Sequence, residues 1–133
     1  MQVTLMLCDA AQEMGGKLYI LGGGWSQLHQ PNTPTPMALA ILIKVPWDQA
    51  NEKHEFEAVL MTADGERVEV EGNEIAAQGQ FETGRPAGLK RGSDLDLPAV
   101  LTFNGLALPA GGYRWEVFVD GTQKAVAPFQ VNG

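Results

Sequence analysis

Hydrophobic residues recur at every second position through much of this 133-residue chain. The alternation is clearest in residues 54–62, 67–71 and 113–119, and turn sequences such as Ala63-Asp64-Gly65-Glu66 separate these segments. A period of two is typical of β-strands with one buried face, and no segment of useful length has the helical period. We count about eight or nine strands, which predicts an all-β fold: an antiparallel two-sheet β-sandwich, immunoglobulin-like or a related Greek key.

A late turn supports the sandwich. Leu108-Pro109-Ala110-Gly111-Gly112-Tyr113 leads into the strand 113–119. A tyrosine placed after such a turn is typical of a tyrosine corner, in which the phenol bonds to backbone where the chain crosses between sheets. We expect Trp115, Val117 and Val119 to share the face of Tyr113.

The length fits a single domain, residues 1–133, with a core that needs neither metal nor disulfide. The one cysteine, Cys8, lies in an apolar run and is predicted to be buried and inert. No early segment has the pattern of a signal peptide, and the apolar run 37–43, predicted to be a strand buried on both faces, is too short to cross a bilayer. We expect a soluble, cytoplasmic protein, or one released as part of an assembly.

The charge is concentrated in one window. Nine acidic and two basic residues fall between positions 48 and 74, which matches the net charge of −7 of the whole chain. Such a face repels phosphate backbones and argues against a nucleic-acid partner. The acids alternate along strands and do not cluster in a loop, so they are predicted to be a solvated face and not a calcium site.

An apolar run from Lys17 ends in Gly22-Gly23-Gly24-Trp25. Three glycines exceed what a turn needs, so they indicate a bulge or sharp corner, a close approach by another backbone, or a hinge. We favour a strand-end bulge packed under the indole. The alternative is that a ligand or a partner backbone lies on the glycines.

A second strand-end break, Pro46-Trp47-Asp48-Gln49-Ala50-Asn51, is predicted to be a turn or a single helical turn in which Asp48 accepts hydrogen bonds from nearby amides. We predict that both breaks lie near each other at one end of the sandwich, where Trp25 and Trp47 could stack on a sugar ring while Asp48, Asn51 and His54 bond to its hydroxyls. The competing interpretation makes both tryptophans part of the core.

Residues 82–95 have no period and form a predicted long loop that carries a basic cluster, Arg85, Lys90 and Arg91. Long loops in compact domains are often functional, so this one is a candidate contact site. We favour a plain solvent-exposed connection, and the contact site is the alternative.

The sequence gives no support for a catalytic centre. His29 and His54 lie in contexts that nominate no nucleophile, and burial would raise the pKa of Cys8. His29, His54 and Asp9 could bind a metal only if the fold brought them together. The glycines lack the lysine and Ser/Thr of a phosphate loop. We therefore expect no metal, no cofactor and no enzymatic activity.

Four segments carry a resemblance to a known family: Leu7-x-Asp9, Gly16-Lys17-Leu18-Tyr19-Ile20-Leu21-Gly22-Gly23-Gly24-Trp25, Val45-Pro46-Trp47-Asp48 with Asn51 and His54, and Leu108-Pro109 with Gly112-Tyr113. With them the chain resembles an uncharacterised family of small bacterial single-domain proteins, a domain of unknown function. The resemblance covers nearly the full chain. It implies a stand-alone bacterial or phage-borne domain and assigns no role to any residue.

The function expected from these observations is a non-enzymatic protein-interaction or assembly module, such as a subunit of a bacterial or phage multi-subunit assembly. Trp25, Trp47 and the basic loop would supply contacts to a protein partner or to a second copy. Nucleic-acid and membrane partners are not expected. The alternatives are a small-ligand or carbohydrate-binding sandwich and an enzyme of unrecognised type.

Overall fold

Two β-sheets pack face to face in the computed structural model, which describes residues 1–133. Eight strands have six or more residues and three have only two, which agrees with the predicted eight or nine. The all-β, two-sheet sandwich is confirmed. The strands are β1 (Gln2–Met14), β2 (Lys17–Gly23), β3 (Gln27–Leu28), β4 (Thr35–Val45), β5 (His54–Thr62), β6 (Glu69–Val70), β7 (Asn73–Glu74), β8 (Ala76–Phe81), β9 (Leu95–Leu106), β10 (Gly111–Val119) and β11 (Thr122–Val131).

The two sheets differ in their number of strands. The four-stranded sheet has the order β2-β1-β4-β9, and the five-stranded sheet has the order β3-β11-β10-β5-β8. Neighbours are antiparallel except for the short β3, which runs parallel to β11. Side chains from both sheets meet in one core, and its largest fully buried members include Leu39, Ile41, Leu60 and Trp115.

Strand β4 is buried on both faces, as its nearly continuous apolar sequence predicts. Residues 37–41 are each no more than 3% exposed. Met37, Leu39 and Ile41 belong to the core between the sheets. Ala38 and Ala40 point to the opposite face, where they form a second small cluster with Cys8. Something must therefore cover the outer face of the four-stranded sheet.

The predicted tyrosine corner is present. The Tyr113 hydroxyl donates a hydrogen bond of 2.7 Å to the Pro109 carbonyl oxygen, and the Tyr113 ring stacks on Phe129 with centroids 5.6 Å apart. Trp115 follows on the same face, and its indole N–H donates to the Met37 sulfur at 3.2 Å. The corner thus fixes the chain at the start of β10 and places its apolar face in the core.

One predicted strand is wrong, and the first strand is unusually long. Ala10 to Met14 pair with β2 and extend β1 into a long hairpin. Residues 67–71 are not one strand. After the turn at residues 63–65 the chain pairs briefly with β5 through Arg67. It then leaves in the small β6–β7 hairpin, whose turn residues Glu71 and Gly72 have positive φ.

A candidate contact surface on the β1–β2 hairpin

The hairpin formed by the second half of β1 and by β2 folds back over the four-stranded sheet. Ala11 and Leu18 pack against the cluster of Cys8, Ala38 and Ala40, and Val100 of β9 joins them. Strand β2 also contacts β9 directly. In a flat sheet β1 and β4 would separate these strands by about 14 Å. The hairpin is therefore the cover of the outer face, and the small residues beneath it leave room for its backbone.

The bend of this hairpin lies at the glycines. Gly22 has φ +60°, and a Cβ atom there would overlap the carboxylate of Asp9 on the paired strand. A Cβ atom at Gly23 would come within 2.7 Å of Ile20 Cγ2. Only glycine accepts the positive φ at position 22 and the close contacts at positions 22 and 23 without strain.

The predicted bulge under the indole is wrong. Ala10 lies opposite Leu21 and Cys8 lies opposite Gly23, so the pairing keeps one register on both sides of Gly22 and contains no extra residue. The atoms nearest to a Cβ at Gly23 belong to Ile20, Met6 and Cys8, and the indole of Trp25 packs against Phe129. The glycines therefore form a sharp corner in the hairpin and not a bulge.

The surface of the hairpin is unusually apolar. Four of the seven exposed large hydrophobic residues of the whole chain lie on it, Met14, Tyr19, Ile20 and Leu21, and a fifth, Met6, adjoins it beside Gly23. Leu21 is 72% exposed and Met14 is 60% exposed. Strand register places six residues on the side that faces away from the sandwich, and we call them the outer hairpin face: Ala10, Gln12, Met14, Lys17, Tyr19 and Leu21. Exposed apolar side chains gathered in this way are typical of protein contact sites.

Strand β2 is also a free sheet edge. It pairs with β1 on one side and with no strand on the other. Natural edges are usually protected by charged side chains, proline or bulges. The edge from Lys17 to Gly23 has one charged residue, at its beginning, and none of the other protections. An extended segment of another chain could therefore pair with it.

The two tryptophans of the predicted sugar site lie at opposite ends of β10. Trp25 packs edge to face against Phe129, whose strand partner is Tyr113 at the start of β10. Trp47 lies in a 3₁₀ turn, Trp47–Gln49, close to the opposite end of that strand. Six strand residues separate the two ends, a distance of about 20 Å. The prediction that the two corners lie together is wrong, because strand order separates them.

The remaining residues of that prediction lie near Trp47, where Asp48 and Asn51 are exposed and His54 is buried. Trp47 carries the guanidinium of Arg85 4.7 Å above its ring, and Arg85 Nη2 donates to the Trp47 carbonyl at 2.6 Å. Asp48 is exposed and makes no capping hydrogen bond, contrary to expectation. Asn51 is exposed with φ +60°, and its backbone N–H donates to the Thr83 carbonyl oxygen at 2.8 Å.

His54 is a buried structural residue. Its Nδ1 lies 2.7 Å from Asp120 Oδ2 and its Nε2 lies 2.9 Å from the Gln49 carbonyl oxygen. Both neighbours accept hydrogen bonds, so both ring nitrogens can carry protons. The Gln49 carbonyl, assisted by the Asp120 carboxylate, raises the pKa of His54 despite its burial. The bond from His54 and one from the Glu55 amide lower the pKa of Asp120.

The basic loop divides into two parts. Arg85 is held by Trp47, whereas Lys90 and Arg91 are exposed in a turn closed by the Ser93 amide and the Lys90 carbonyl at 3.1 Å. The predicted contact loop therefore presents two free bases.

The histidines and the cysteine do not converge. His29 lies beside Asn132, far from His54, and no group of three potential ligands could hold a metal ion. Cys8 is fully buried, and burial raises the pKa of its thiol as predicted.

An open polar depression of about 610 Å³ lies on the outer face of the five-stranded sheet. The sequence indicated only a solvated acidic face here. Arg67 at the depression pairs with Glu74 at 3.0 Å, and the Gln78 amide donates to Glu57 at 2.8 Å. The ring of Phe118 is part of its lining.

Comparison with known proteins agrees with the resemblance seen in the sequence. A family model described as "Family of unknown function (DUF6941)" matches residues 3–132. The chain belongs to this family. No curated protein matches the sequence. The match includes the whole hairpin, the glycines and the tyrosine corner, and the family supplies no activity to any of them. The structure contains no helix with the length and apolar character that a membrane span requires.

Proposed function

We propose that this protein is a non-enzymatic interaction module, a subunit of a larger protein assembly, and that the β1–β2 hairpin is its contact surface. The observation that supports this proposal is the concentration of exposed large hydrophobic side chains on a single hairpin with a free edge. A solvated surface without a partner has no physical reason to collect Met14, Tyr19 and Leu21 in one place.

The hairpin offers two kinds of contact at once. The outer hairpin face supplies apolar area, at about 25 cal/mol for each Å² that a partner removes from water. The free edge of β2 supplies unpaired backbone groups that can extend the sheet into a partner. The hairpin is also preorganised, because Ala11 and Leu18 already hold it against the sandwich. A partner would therefore not have to order it.

The charge distribution supports a protein partner over a nucleic acid. The net charge is −7, and the acidic residues between positions 48 and 74 belong to β5, β6 and β7 and their connections. The hairpin itself carries only Asp9, Glu13 and Lys17 as charged residues. A nearly neutral apolar surface on an acidic protein suits docking to another protein. We place the protein in the cytoplasm, or in an assembly that is later released.

The test uses two double variants that add the same charge at different places. Tyr19→Lys with Leu21→Lys alters the outer hairpin face. Leu89→Lys with Val126→Lys alters the two exposed large hydrophobic residues that lie elsewhere. Each variant is compared with the unmodified protein by sedimentation of the pure protein and by quantitative affinity capture from an extract of the source cells.

We expect the unmodified protein and the Leu89/Val126 variant to bind the same protein, which is either a second copy or another chain. The Tyr19/Leu21 variant should bind that protein at least tenfold more weakly. Retention of every interaction by the Tyr19/Leu21 variant would contradict the proposal, and so would the absence of any bound protein in all three samples. Circular dichroism checks that both variants remain folded.

A second candidate function is small-ligand or carbohydrate binding at the polar depression, and not at the tryptophans. The Phe118 ring beside the carboxamides of Gln78 and Gln80 is the observation that favours it, because a ring face and amide groups are what sugars contact. Glycan-array binding that disappears in Phe118→Ala would support this candidate. Binding that persists in Phe118→Ala, or no binding at all, would remove it.

A further inference from the structure

We infer that the partner of β2 is β2 of a second copy of this chain, paired antiparallel about a twofold axis at Ile20. The inference rests on the proposed function, which it makes specific. Two copies joined in this way share one continuous eight-stranded sheet, made of the two four-stranded sheets edge to edge. Three observations lead to this register: the residue pattern of β2, the position of Lys17, and the location of the acidic residues.

The residues of β2 are complementary to themselves. Ile20 is the central residue of the seven from Lys17 to Gly23. Antiparallel pairing about Ile20 places Tyr19 of each copy opposite Leu21 of the other, so the two most exposed side chains of β2 meet in pairs on the outer hairpin face. Aromatic and aliphatic side chains directly opposite each other are favourable cross-strand pairs. Leu18 then lies opposite Gly22, where no second side chain competes for space.

Other registers are less favourable. A shift of one residue places the outer hairpin face of one copy beside the inner face of the other, because side chains alternate between the two faces. A shift of two residues in one direction places Tyr19 opposite Tyr19 and leaves Leu21 opposite Lys17. The same shift in the other direction leaves Tyr19 opposite Gly23. Only the Ile20 register uses both large side chains of both copies.

The charges agree with that register. Lys17 of one copy lies opposite Gly23 of the other, so the only charged residue of β2 meets no like charge across the edge. The acidic strand β5 and its neighbour β8 lie in the other sheet, and the four-stranded sheet lies between them and the hairpin. The repulsion between two chains of net charge −7 is thus smaller at this edge than at the acidic face.

The contact is short, and we expect a dimer that dissociates on dilution. Seven residues of one edge with their outer side chains bury less than the area of a standard permanent interface. Dimerisation that depends on concentration is therefore part of the inference. Higher salt should screen the repulsion between the two chains of net charge −7 and leave the apolar contribution in place.

Cysteine cross-linking tests the register. Ile20→Cys places two thiols opposite each other on the twofold axis, whereas Tyr19→Cys and Leu21→Cys oppose each other only when the two variants are mixed. Val126→Cys is the exposed control, and the buried native Cys8 stays in every sample. Under mild oxidation we expect Ile20→Cys to form a covalent dimer at least tenfold faster than Val126→Cys. We expect Tyr19→Cys and Leu21→Cys to cross-link as a mixture and not singly.

Sedimentation of the unmodified protein over a range of concentrations completes the test. The inference is overturned if the protein is a monomer at its highest soluble concentration, or if Ile20→Cys cross-links no faster than the control. If the protein is a monomer but still captures another protein through Tyr19 and Leu21, the β2–β2 dimer is excluded and the proposed function remains. If the Tyr19/Leu21 lysine variant also changes no interaction, the dimer and the proposed function are both excluded.

Discussion

The carboxylate of Asp9 occupies the space that a side chain at position 22 would take. The two residues belong to paired strands at the bend of the hairpin, where Gly22 has φ +60°. The three glycines therefore do not form a flexible break in this chain. They allow an apolar hairpin to fold closely over its own sheet.

A Gly22→Ala substitution should destabilise the protein more than Gly24→Ala. Both positions have positive φ, which costs alanine about 1 kcal/mol or more, but only position 22 meets Asp9. The measurement is the free energy of unfolding in urea. Asp9→Ala combined with Gly22→Ala should recover the difference between the two single variants. Equal costs at positions 22 and 24 would show that the close approach of Asp9 has no energetic importance.

Tyr113→Phe should lower the free energy of unfolding by about 1 kcal/mol, because it removes one hydrogen bond and leaves the Pro109 carbonyl without its partner. Tyr19→Phe removes a hydroxyl from an exposed ring and is the matched control, with an expected change below about 0.5 kcal/mol. Urea unfolding measures both. Similar values for the two variants would mean that the tyrosine corner positions the chain without stabilising it.

The stability of the protein should fall as the pH rises from about 6 to about 8. The pKa of His54 is raised in the folded state, so its stabilising contribution is complete below its unfolded pKa of about 6.5 and is lost as the pH rises through the higher folded value. The lowered pKa of Asp120 has the opposite consequence: its contribution is present at neutral pH and is lost in acid.

Urea unfolding at several pH values checks this expectation with three variants. His54→Gln should remove the slope, and His29→Gln, an exposed histidine elsewhere, should keep it. Asp120→Asn should reduce the slope without removing it, since the Gln49 carbonyl is the largest cause of the raised pKa of His54. An unchanged slope in His54→Gln would assign the pH dependence to another group.

Leu18→Ala should make Cys8 react about tenfold faster with a thiol reagent. Leu18 packs on the cluster that contains the fully buried Cys8, and a loss of about 1.4 kcal/mol of packing in the hairpin corresponds to a tenfold larger open population. Leu89→Ala, in the loop before β9, is the control and should leave the rate unchanged. If every labelling rate follows the global free energy of unfolding, the hairpin does not open separately.

The fold could be predicted because its determinants are local. Alternation defined β5 and β10, the apolar run of residues 37–43 defined the doubly buried β4, and the sequence before Tyr113 defined the corner. The contact surface could not be predicted in the same way. Residues 18–21 are all apolar, and such a run has the same appearance in a buried strand and at an exposed edge. Strand order decides between the two, and it depends on pairings between distant residues.

The same limit applies to the residues expected near Trp47. His54 was recognisable as the first residue of a strand, but its partner Asp120 is 66 residues away in sequence. Trp25 and Trp47 each follow a strand and look equivalent in the sequence, yet the pairing of β10 with β11 and β5 fixes them at opposite ends. Similar local patterns gave no information about their distance in space.

The two ends of the hairpin connect to different sheets, and these connections determine how the hairpin responds to a pulling force. On one side β1 continues through Cys8 into seven residue pairs with β4, from Gln2 opposite Lys44 to Cys8 opposite Ala38. On the other side the chain passes through Trp25 to β3, which lies beside β11 in the opposite sheet. We expect tension applied to the hairpin along β1 to act on these pairs in shear, so that they must break together. In single-molecule pulling, the hairpin should then resist higher force than an edge strand peeled away one pair at a time.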